Sequence, residues 1–426
     1  MSRLPSILPK YQRLSVQADI ATNKTISRAS NPLIDLFKVI AAQLITLHHL
    51  ACYGPLAQAT EKLAPNLAEG LFTYARMVVQ VFLVLGGYLA ARSALNLFDV
   101  AHQRKPQAQP WNLIANRYLR LTIPFLAALV IAVFCSAFVR HALGDEFVPA
   151  APTQTQWIAH IFLLHGVLGF DSLSAGAWYV AIDFQLFVLL IGLMAYGQRR
   201  ARAQGKPPGG LERGIGLILG MGLLALFWFN RDARFDSWAV YFFAAYALGF
   251  AAYCIEQSTI QKTLDLPTAS RTTLYLFFAA VVIALCIDFR GRLLVALCAS
   301  LALIFCQQGR WLHWVPLRIQ QALQKLGQIS YAQFLVGFPI LLVVNGLLVE
   351  YAVNVNDMSG LNLIGIWLIT WALTVWVAQH FYALIELPAS ALKVDTEPFI
   401  QILKMRCLRI EIWFRRKIYR LKRLRG

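Results

Sequence analysis

Residues 33–53 read LIDLFKVIAAQLITLHHLACY, a run in which only Asp35 and Lys38 carry a formal charge. A helix of about 20 mostly apolar residues is long enough to cross the hydrocarbon core of a bilayer. Apolar blocks of similar length recur along the chain, whereas the alternating pattern of membrane β-strands is absent. Because helices and closed barrels are the structures that span lipid, the sequence predicts an all-α integral membrane protein.

Composition supports this fold class. Hydrophobic residues make up 58% of the 426 positions and charged residues only 14%. A soluble protein carries about a quarter charged residues, so this chain has too little polar surface to coat a water-facing globule. About ten transmembrane helices are expected. We place them at residues 33–53, 71–95, 113–139, 177–197, 212–229, 237–256, 271–288, 291–307, 328–349 and 361–386.

Two shorter features are expected between these spans. The seventh and eighth spans are nearly continuous, which predicts a tight turn at residues 288–292. Residues 157–170 are apolar but too few to cross, so this segment is expected to lie on the outer face or dip into it.

The basic residues predict the orientation. Connections around residues 104–105, 199–206 and 310–325 are rich in Lys and Arg, whereas those around 61–69, 145–171 and 350–357 carry acids. Lys and Arg concentrate on the cytoplasmic side, so we expect both termini in the cytoplasm and the protein in a bacterial inner (cytoplasmic) membrane. The net charge of +18 is explained by the same asymmetry. Nucleic acid is therefore excluded as a partner.

The two ends of the chain differ from the apolar body. Residues 1–30 form a polar tail without the apolar stretch of a signal peptide, so the first span is expected to serve as the insertion signal. Residues 393–426 form a basic tail, in which KMRCLRIEIWFRRKIYRLKRLRG predicts an amphipathic helix on anionic lipid. Residues 31–392 form the membrane domain. The seven cysteines show no ligand spacing, so neither a metal site nor disulfides are expected.

Ionisable residues within the first span are candidates for function. Lys38 and His49 are eleven residues apart, about three helical turns, so they share one face roughly 16 Å apart. His48 points away from that face. Ionisable groups at membrane depth by default mark a functional site or a polar cavity. The alternative for His49 is a structural histidine near the outer interface.

Two further spans carry charged candidates. Arg117 and Arg120 are three residues apart, so both guanidinium groups lie on one helix face and could hold phosphates bidentately. Alternatively, they are ordinary arginines at a cytoplasmic helix entrance. In the fourth span, Asp183 and Gln185 lie at the expected depth of His49, where a carboxylate could orient the imidazole. The alternative for Asp183 is a residue filling a polar crossing between helices.

Six stretches recur in an order and spacing that resemble the acyltransferase-3 family of integral membrane acyltransferases, over roughly residues 31–392. The stretches are Ile34-Asp-Leu-Phe-Lys38 leading to His49, Gln80-Val-Phe-Leu-Val-Leu-Gly-Gly-Tyr88, Arg117-Tyr-Leu-Arg120, Trp178-Tyr-Val-Ala-Ile-Asp183-Phe-Gln-Leu-Phe187, Leu326-Gly-Gln-Ile-Ser-Tyr331 and Ile385-Glu-Leu-Pro388.

The resemblance implies an O-acyltransferase that takes an acyl group, expected to be acetyl, from cytoplasmic acyl-CoA. The acceptor would be a hydroxyl of an extracytoplasmic glycan or lipid-linked sugar. Arg117 and Arg120 would bind the CoA phosphates, with Lys38 deeper in the same cavity. No metal is implied.

The resemblance also assigns the chemistry to the outer half of the membrane domain. His49 would act as general base on the sugar hydroxyl, or as a transient acyl carrier. Asp183 would orient His49, and Gln185 and Trp178 would contribute to substrate binding. The oligomeric state stays open.

Departures from the family pattern keep other functions open. Lys38 stands for an arginine, Gln80 for an aspartate, Gly86 for a serine and Asp183 for a glutamate, and Gly337 stands where a histidine is frequent. The main alternative is a non-catalytic glycolipid transporter or a partner in glycan export. Another class of membrane acyltransferase fits the apolar content but not the ordered stretches.

Overall fold

A computed structural model describes residues 31–98, 109–144, 147–204, 211–306, 314–351 and 358–396. Every regular element among these residues is helical. The helices are α1 Pro32–Cys52, α2 Gly54–Leu63, α3 Pro65–Thr73, α4 Val79–Phe98, α5 Pro110–Leu143, α6 Gln154–Ile161, α7 Ala177–Ala203, α8 Glu212–Phe227, α9 Ala239–Ile255, α10 Thr268–Ile287, α11 Gly291–Cys306, α12 Leu317–Glu350, α13 Gly360–Phe381 and α14 Leu387–Ala391.

The all-α membrane fold predicted from the sequence is confirmed. Within the described residues, nine helical stretches are long and apolar enough to cross a membrane. They are Pro32–Cys52, Pro65–Phe98, Pro110–Leu143, Ala177–Ala201, Glu212–Arg231, Ala239–Ile260, Thr268–Ile287, Leu317–Glu350 and Gly360–Ala391. The remaining predicted span is α11, an apolar helix of 16 residues. At 1.5 Å per residue it is about 24 Å long, which is shorter than an average hydrocarbon core.

The tight turn and the short segment predicted between the spans are both present. Helix α10 ends at Ile287 and α11 begins at Gly291, so a three-residue turn joins the seventh and eighth predicted spans. Within the segment 157–170, helix α6 ends at Ile161 and hydrogen-bonded turns follow it. The segment is thus too short to cross, as expected, and its place at the outer face stays a prediction.

Helices α4 and α9 pack against each other backbone to backbone. A Cβ on Gly87 would lie 1.9 Å from the carbonyl oxygen of Tyr246, and a Cβ on Gly249 would lie 1.9 Å from that of Val84. Only glycine permits this approach, so close packing accounts for Gly87. Small residues at helix contacts serve this purpose in membranes, where no hydrophobic effect drives helices together.

Helices α1 and α12 run in parallel, which defines two ends of the bundle. At one end, Asp35 of α1 contacts Gly327 of α12. At the other end, the Asn345 side chain donates to the carbonyl of Tyr53 and accepts from the N–H of Leu56. We call the first the N-face, because it holds the beginning of α1, and the second the C-face.

The chain returns to the N-face at its described end. Asn112 and Asn116, near the beginning of α5, hydrogen-bond to residues 394–396. Both ends of the described chain therefore lie at the same face of the bundle. The N-terminal tail at residues 1–30 and residues 397–426 of the C-terminal tail lie outside the described residues, as do the connecting residues 99–108, 205–210 and 307–313.

Candidate functional site

A cavity of about 800 Å³ opens at the C-face. Its wall comes from the end of α1, the single turn Ala75–Val78, the segment 165–175, the beginning of α7 and residues 236–237. The segment that follows α6 is thus part of the cavity wall. Elements far apart in the sequence converge here because the connecting segments at this face are folded over the helix ends.

His49 lies in this cavity wall at the last turn of α1. The residue is 8% exposed, and its ring contacts Tyr53 edge-on with centroids 5.5 Å apart. Neither ring nitrogen forms a hydrogen bond with a described residue. An imidazole that faces a cavity without a partner can exchange a proton with a bound molecule.

The neighbouring His48 is held differently. Its Nδ1 donates to the carbonyl oxygen of Leu71 at 2.9 Å, because a carbonyl can only accept. This bond assigns the proton to Nδ1 and fixes the ring to the segment before α4. His48 also reaches the cavity wall. Of the two histidines, His49 is the one without a hydrogen-bond partner among the described residues.

Trp178 and Gln185 line the same cavity from α7, together with Ile182. Their spacing of four and three residues places them on one helix face. Gln185 Nε2 donates to the carbonyl oxygen of Leu163 at 2.8 Å, which orients the amide. The structure therefore brings together His49, Trp178 and Gln185. Their contacts with a substrate remain predictions.

Asp183 lies on a different face of α7 and does not take the position expected from the sequence. Its Oδ2 accepts a hydrogen bond from Arg117 Nη2 at 2.6 Å. Among the described residues, no hydrogen bond joins Asp183 to His49. Residues 182 and 185 face the cavity. Successive residues of an α-helix are rotated by about 100°, so 183 points away from the face that 182 and 185 share. The expectation that Asp183 orients His49 is therefore corrected: the carboxylate pairs with Arg117.

The Arg117–Asp183 pair is buried between helices α4, α5, α7 and α9. The Arg117 guanidinium also stacks over the Phe187 ring, 4.8 Å from its centroid. A Cβ on Gly86 would lie 2.8 Å from Asp183 Oδ1 and 2.9 Å from the Tyr246 ring. Gly86 therefore makes room for the pair. This arrangement matches the alternative interpretation of Asp183 as a residue at a polar helix crossing.

Lys38 and Arg120 belong to a separate cluster towards the N-face. Lys38 Nζ lies 3.8 Å from Asp35 Oδ1, and both Lys38 and Arg120 are close enough to Glu386 to interact electrostatically. The Glu386 side chain is buried, and its Oε2 has no hydrogen-bond partner among the described residues. Three cationic residues were predicted to bind the CoA phosphates, and two of them, Lys38 and Arg120, thus lie in one cluster. Arg117 borders it but is bound to Asp183.

Two histidines near the cavity were missed by sequence reasoning. The rings of His160 and His165 stack with centroids 4.0 Å apart and planes 2° apart. His160 Nδ1 donates to the carbonyl of Gln156, and its Nε2 accepts from the N–H of Leu173, so this ring is neutral. His165 lines the cavity, but both its nitrogens are buried without a hydrogen bond to described residues.

Burial lowers the pKa of His165 to about 3, with a smaller contribution from His160. His165 is therefore neutral at physiological pH. The sequence signal for this pair was weak: two histidines five residues apart in a segment too short to cross the membrane.

Two arginines at the cavity were also missed. Arg76, in the turn Ala75–Val78, and Arg292, in the first turn of α11, both line the cavity and are exposed. Arg292 Nη2 donates to the hydroxyl of Tyr241 at 2.9 Å. In the sequence both appear as ordinary basic residues at span ends, so no local pattern distinguished them.

Comparison with known proteins identifies the chain at the level of the family. No curated protein and no solved structure matches it. A family model described as an acyltransferase domain matches residues 31–383, more than four fifths of the chain. This match includes α1, the cavity and the Arg117–Asp183 pair. The chain therefore belongs to the acyltransferase-3 family of membrane acyltransferases.

Proposed function

We propose that this protein is a membrane O-acyltransferase in which His49 is the general base. The observation that carries the proposal is the position of His49, whose imidazole faces the C-face cavity without a hydrogen-bond partner among the described residues. Trp178 and Gln185 form the adjoining wall. The acceptor is a hydroxyl of a glycan or lipid-linked sugar, which enters the cavity from the extracytoplasmic side.

The reaction is the transfer of an acyl group from a thioester to a hydroxyl. His49 accepts the hydroxyl proton as the acceptor oxygen forms a bond to the thioester carbon. The carbon–sulfur bond then breaks, and the proton passes from His49 to the departing thiolate. An ester and free CoA thiol result, so the step needs no other reactant. General-base catalysis of this kind contributes about 10²–10⁴-fold to the rate.

The proposed donor is acyl-CoA, with acetyl as the expected acyl group. Lys38 and Arg120 suit the CoA phosphates because both are cationic and at least partly exposed. Arg117 adds positive charge at the border of this cluster, although its guanidinium is bound to Asp183. Lys38 and His49 lie about 16 Å apart along α1, a gap that the extended pantetheine arm of CoA can bridge.

The proposal includes the orientation of the protein. The N-face would be cytoplasmic and the C-face extracytoplasmic, in a bacterial inner membrane. The donor cluster then faces the compartment that contains acyl-CoA, and the His49 cavity faces the envelope glycans. The connections rich in Lys and Arg, around residues 104–105, 199–206 and 310–325, support this orientation because such connections concentrate in the cytoplasm.

One observation favours the non-catalytic alternative. The carboxylate of Asp183 is bound to Arg117, so His49 has no acidic partner among the described residues to orient it. A glycolipid transporter or an export partner would need the cavity but not an oriented base. The departures at positions 38, 86, 183 and 337 are compatible with that alternative.

The test compares the base-labile acetate of envelope glycans between cells with the native protein and cells with His49→Ala. We expect loss of acetate at a normal protein level. His48→Ala is the matched control, since His48 adjoins His49 but is bound to Leu71, and it should retain most of the acetate. Unchanged acetate in the His49 variant would exclude the catalytic assignment and favour the transporter or partner.

A further inference from the structure

Two arginines lie on the rim of the His49 cavity without an acidic partner. Arg76 and Arg292 both line the cavity. Neither forms an ion pair within the described part of the chain. By contrast, three other arginines of this face, Arg231, Arg234 and Arg290, each lie within 4 Å of an aspartate.

The two arginines come from elements that touch. Gly291 packs against Met77, and a Cβ on Gly291 would lie 3.2 Å from Met77 Sδ. Arg76 and Arg292 are the chain neighbours of these two contacting residues. The two arginines therefore leave the backbone at adjacent points of the cavity wall, where an anion bound between them would offset their mutual repulsion.

The hydrogen-bonding capacity of this pair is largely unused. A guanidinium carries five N–H donors, and among the described residues Arg292 uses one of them, for the hydroxyl of Tyr241. Arg76 stacks over the Phe72 ring, 5.3 Å from its centroid, which positions the group without using its donors. Two forks with open donors suit a phosphate or carboxylate, which each can bind bidentately.

The cavity also contains acids, which limit where an anion could bind. Asp171 and Asp236 line it and are exposed. The Asp236 carboxylate accepts a hydrogen bond from Ser237. These acids belong to the segment after α6 and the loop before α9, not to the turn Ala75–Val78 or to α11. Neither acid forms an ion pair with Arg76 or Arg292 among the described residues, so both guanidinium groups keep their charge available to a bound anion.

We propose that Arg76 and Arg292 form an anion-binding subsite for the acceptor, so that the substrate is an anionic sugar or sugar conjugate. The anion is a phosphate of a lipid carrier or a carboxylate of an acidic sugar, held at the mouth while a hydroxyl reaches His49. Its identification as part of the acceptor rests on the function proposed above. The anion site itself stands on the two arginines alone.

The test measures binding, without acyl-CoA, to the full-length protein in phosphatidylcholine nanodiscs, which contain no anionic lipid. Two matched pairs of probes separate the sources of the anion. A hyaluronan tetrasaccharide is compared with neutral chitotetraose, and farnesyl phosphate is compared with farnesol. We expect at least one anionic probe to bind more tightly than its neutral counterpart. The probe that does so identifies carboxylate or phosphate as the anion.

The variant R76Q/R292Q should lower the affinity for that anionic probe by at least about tenfold. The variant R76K/R292K should recover part of the affinity because it keeps the charge. Arg234→Gln is the control, as Arg234 is on the same face but pairs with Asp232. The binding measurement contains no acyl-CoA and no transfer step, so a failure of the acyltransferase assignment would leave this result standing.

Three outcomes would overturn the subsite. The anionic and neutral probes could bind equally, or R76Q/R292Q could bind like the native protein. Alternatively, the arginine variants could change only the association of phosphatidylglycerol added to the nanodiscs. That last result would assign the pair to a bilayer headgroup instead of a substrate.

Discussion

The guanidinium of Arg117 lies 2.6 Å from the carboxylate of Asp183, and the pair joins α5 to α7 in the interior of the bundle. Both residues belong to stretches that resemble family landmarks, and the sequence suggested separate roles for them in donor binding and catalysis. Their direct contact makes them one structural unit. The pair adjoins the cluster of Lys38 and Arg120, since Arg117 and Arg120 are one helical turn apart on α5.

Removing one member of this pair should destabilise the protein. Asp183→Asn leaves the Arg117 charge without its counterion, and loss of one partner from a buried pair costs about 3–5 kcal/mol. We expect a lower melting temperature in detergent than for Asp232→Asn, which breaks an exposed pair. An unchanged melting temperature for Asp183→Asn would show that the pair does not support the fold. Combining Asp183→Asn with Arg117→Gln should cost less than the sum of the single changes.

Gly87 should not tolerate even one added methyl group. In Gly87→Ala the new Cβ would lie 1.9 Å from a backbone oxygen of α9, which forces the two helices apart. Overpacking of this kind costs about 1–3 kcal/mol. Gly192→Ala is the matched control, since a Cβ there meets nothing within 4 Å. Thermal melting of both variants checks this, and equal stabilities would contradict the close packing of α4 and α9.

His49 and His48 should differ in catalysis. His49→Gln removes the proposed base, so kcat should fall by about 10²-fold or more with the protein still folded. His48→Gln removes a ring bound to Leu71 and should reduce kcat much less. The measurement is acetyl transfer from labelled acetyl-CoA in membranes that contain equal amounts of each variant. If kcat falls equally in the two variants, His49 is not the general base.

The donor cluster should respond to charge in opposite directions. Lys38→Gln with Arg120→Gln removes two cations and should raise the KM for acyl-CoA at least tenfold. Glu386→Gln removes an acid close to both cations, so it should lower that KM. Arg271→Gln, at a half-buried basic residue of α10, is a control for total charge. If the KM for acyl-CoA is the same in all of these variants, the CoA phosphates bind elsewhere.

The buried His165 should make the protein less stable in acid. Its pKa of about 3 in the folded protein lies below the usual value of 6.5 expected after unfolding. Between these values the unfolded chain binds more protons, so stability falls as the pH drops below about 6.5. One group of this kind contributes at most about 1.4 kcal/mol per pH unit.

His165→Gln should therefore flatten the decline of the melting temperature between pH 7 and pH 5. His380→Gln, which removes an exposed histidine, serves as the control and should leave the slope unchanged. If the native protein and His165→Gln lose stability in parallel, His165 does not titrate as its burial requires.

The amino-acid sequence alone determined the fold class, most of the spans and the family. Apolar runs of membrane length require helices, because an unpaired backbone group is costly in lipid. The resemblance was confirmed over residues 31–383 because it depends on the order of motifs along the chain. Position 49 could likewise be singled out, since an ionisable residue in an apolar span is unusual in any tertiary context.

Only the tertiary structure decided which of these residues meet. Asp183 could face His49 or Arg117, and the rotation of α7 against its neighbours selects Arg117, 66 residues away in the chain. Likewise, Arg76 and Arg292 are ordinary span-end residues until the contact of Met77 with Gly291 brings them to one cavity. Helical periodicity determines which residues share a face. Packing between helices determines what that face contacts, and the local sequence of one helix does not specify this packing.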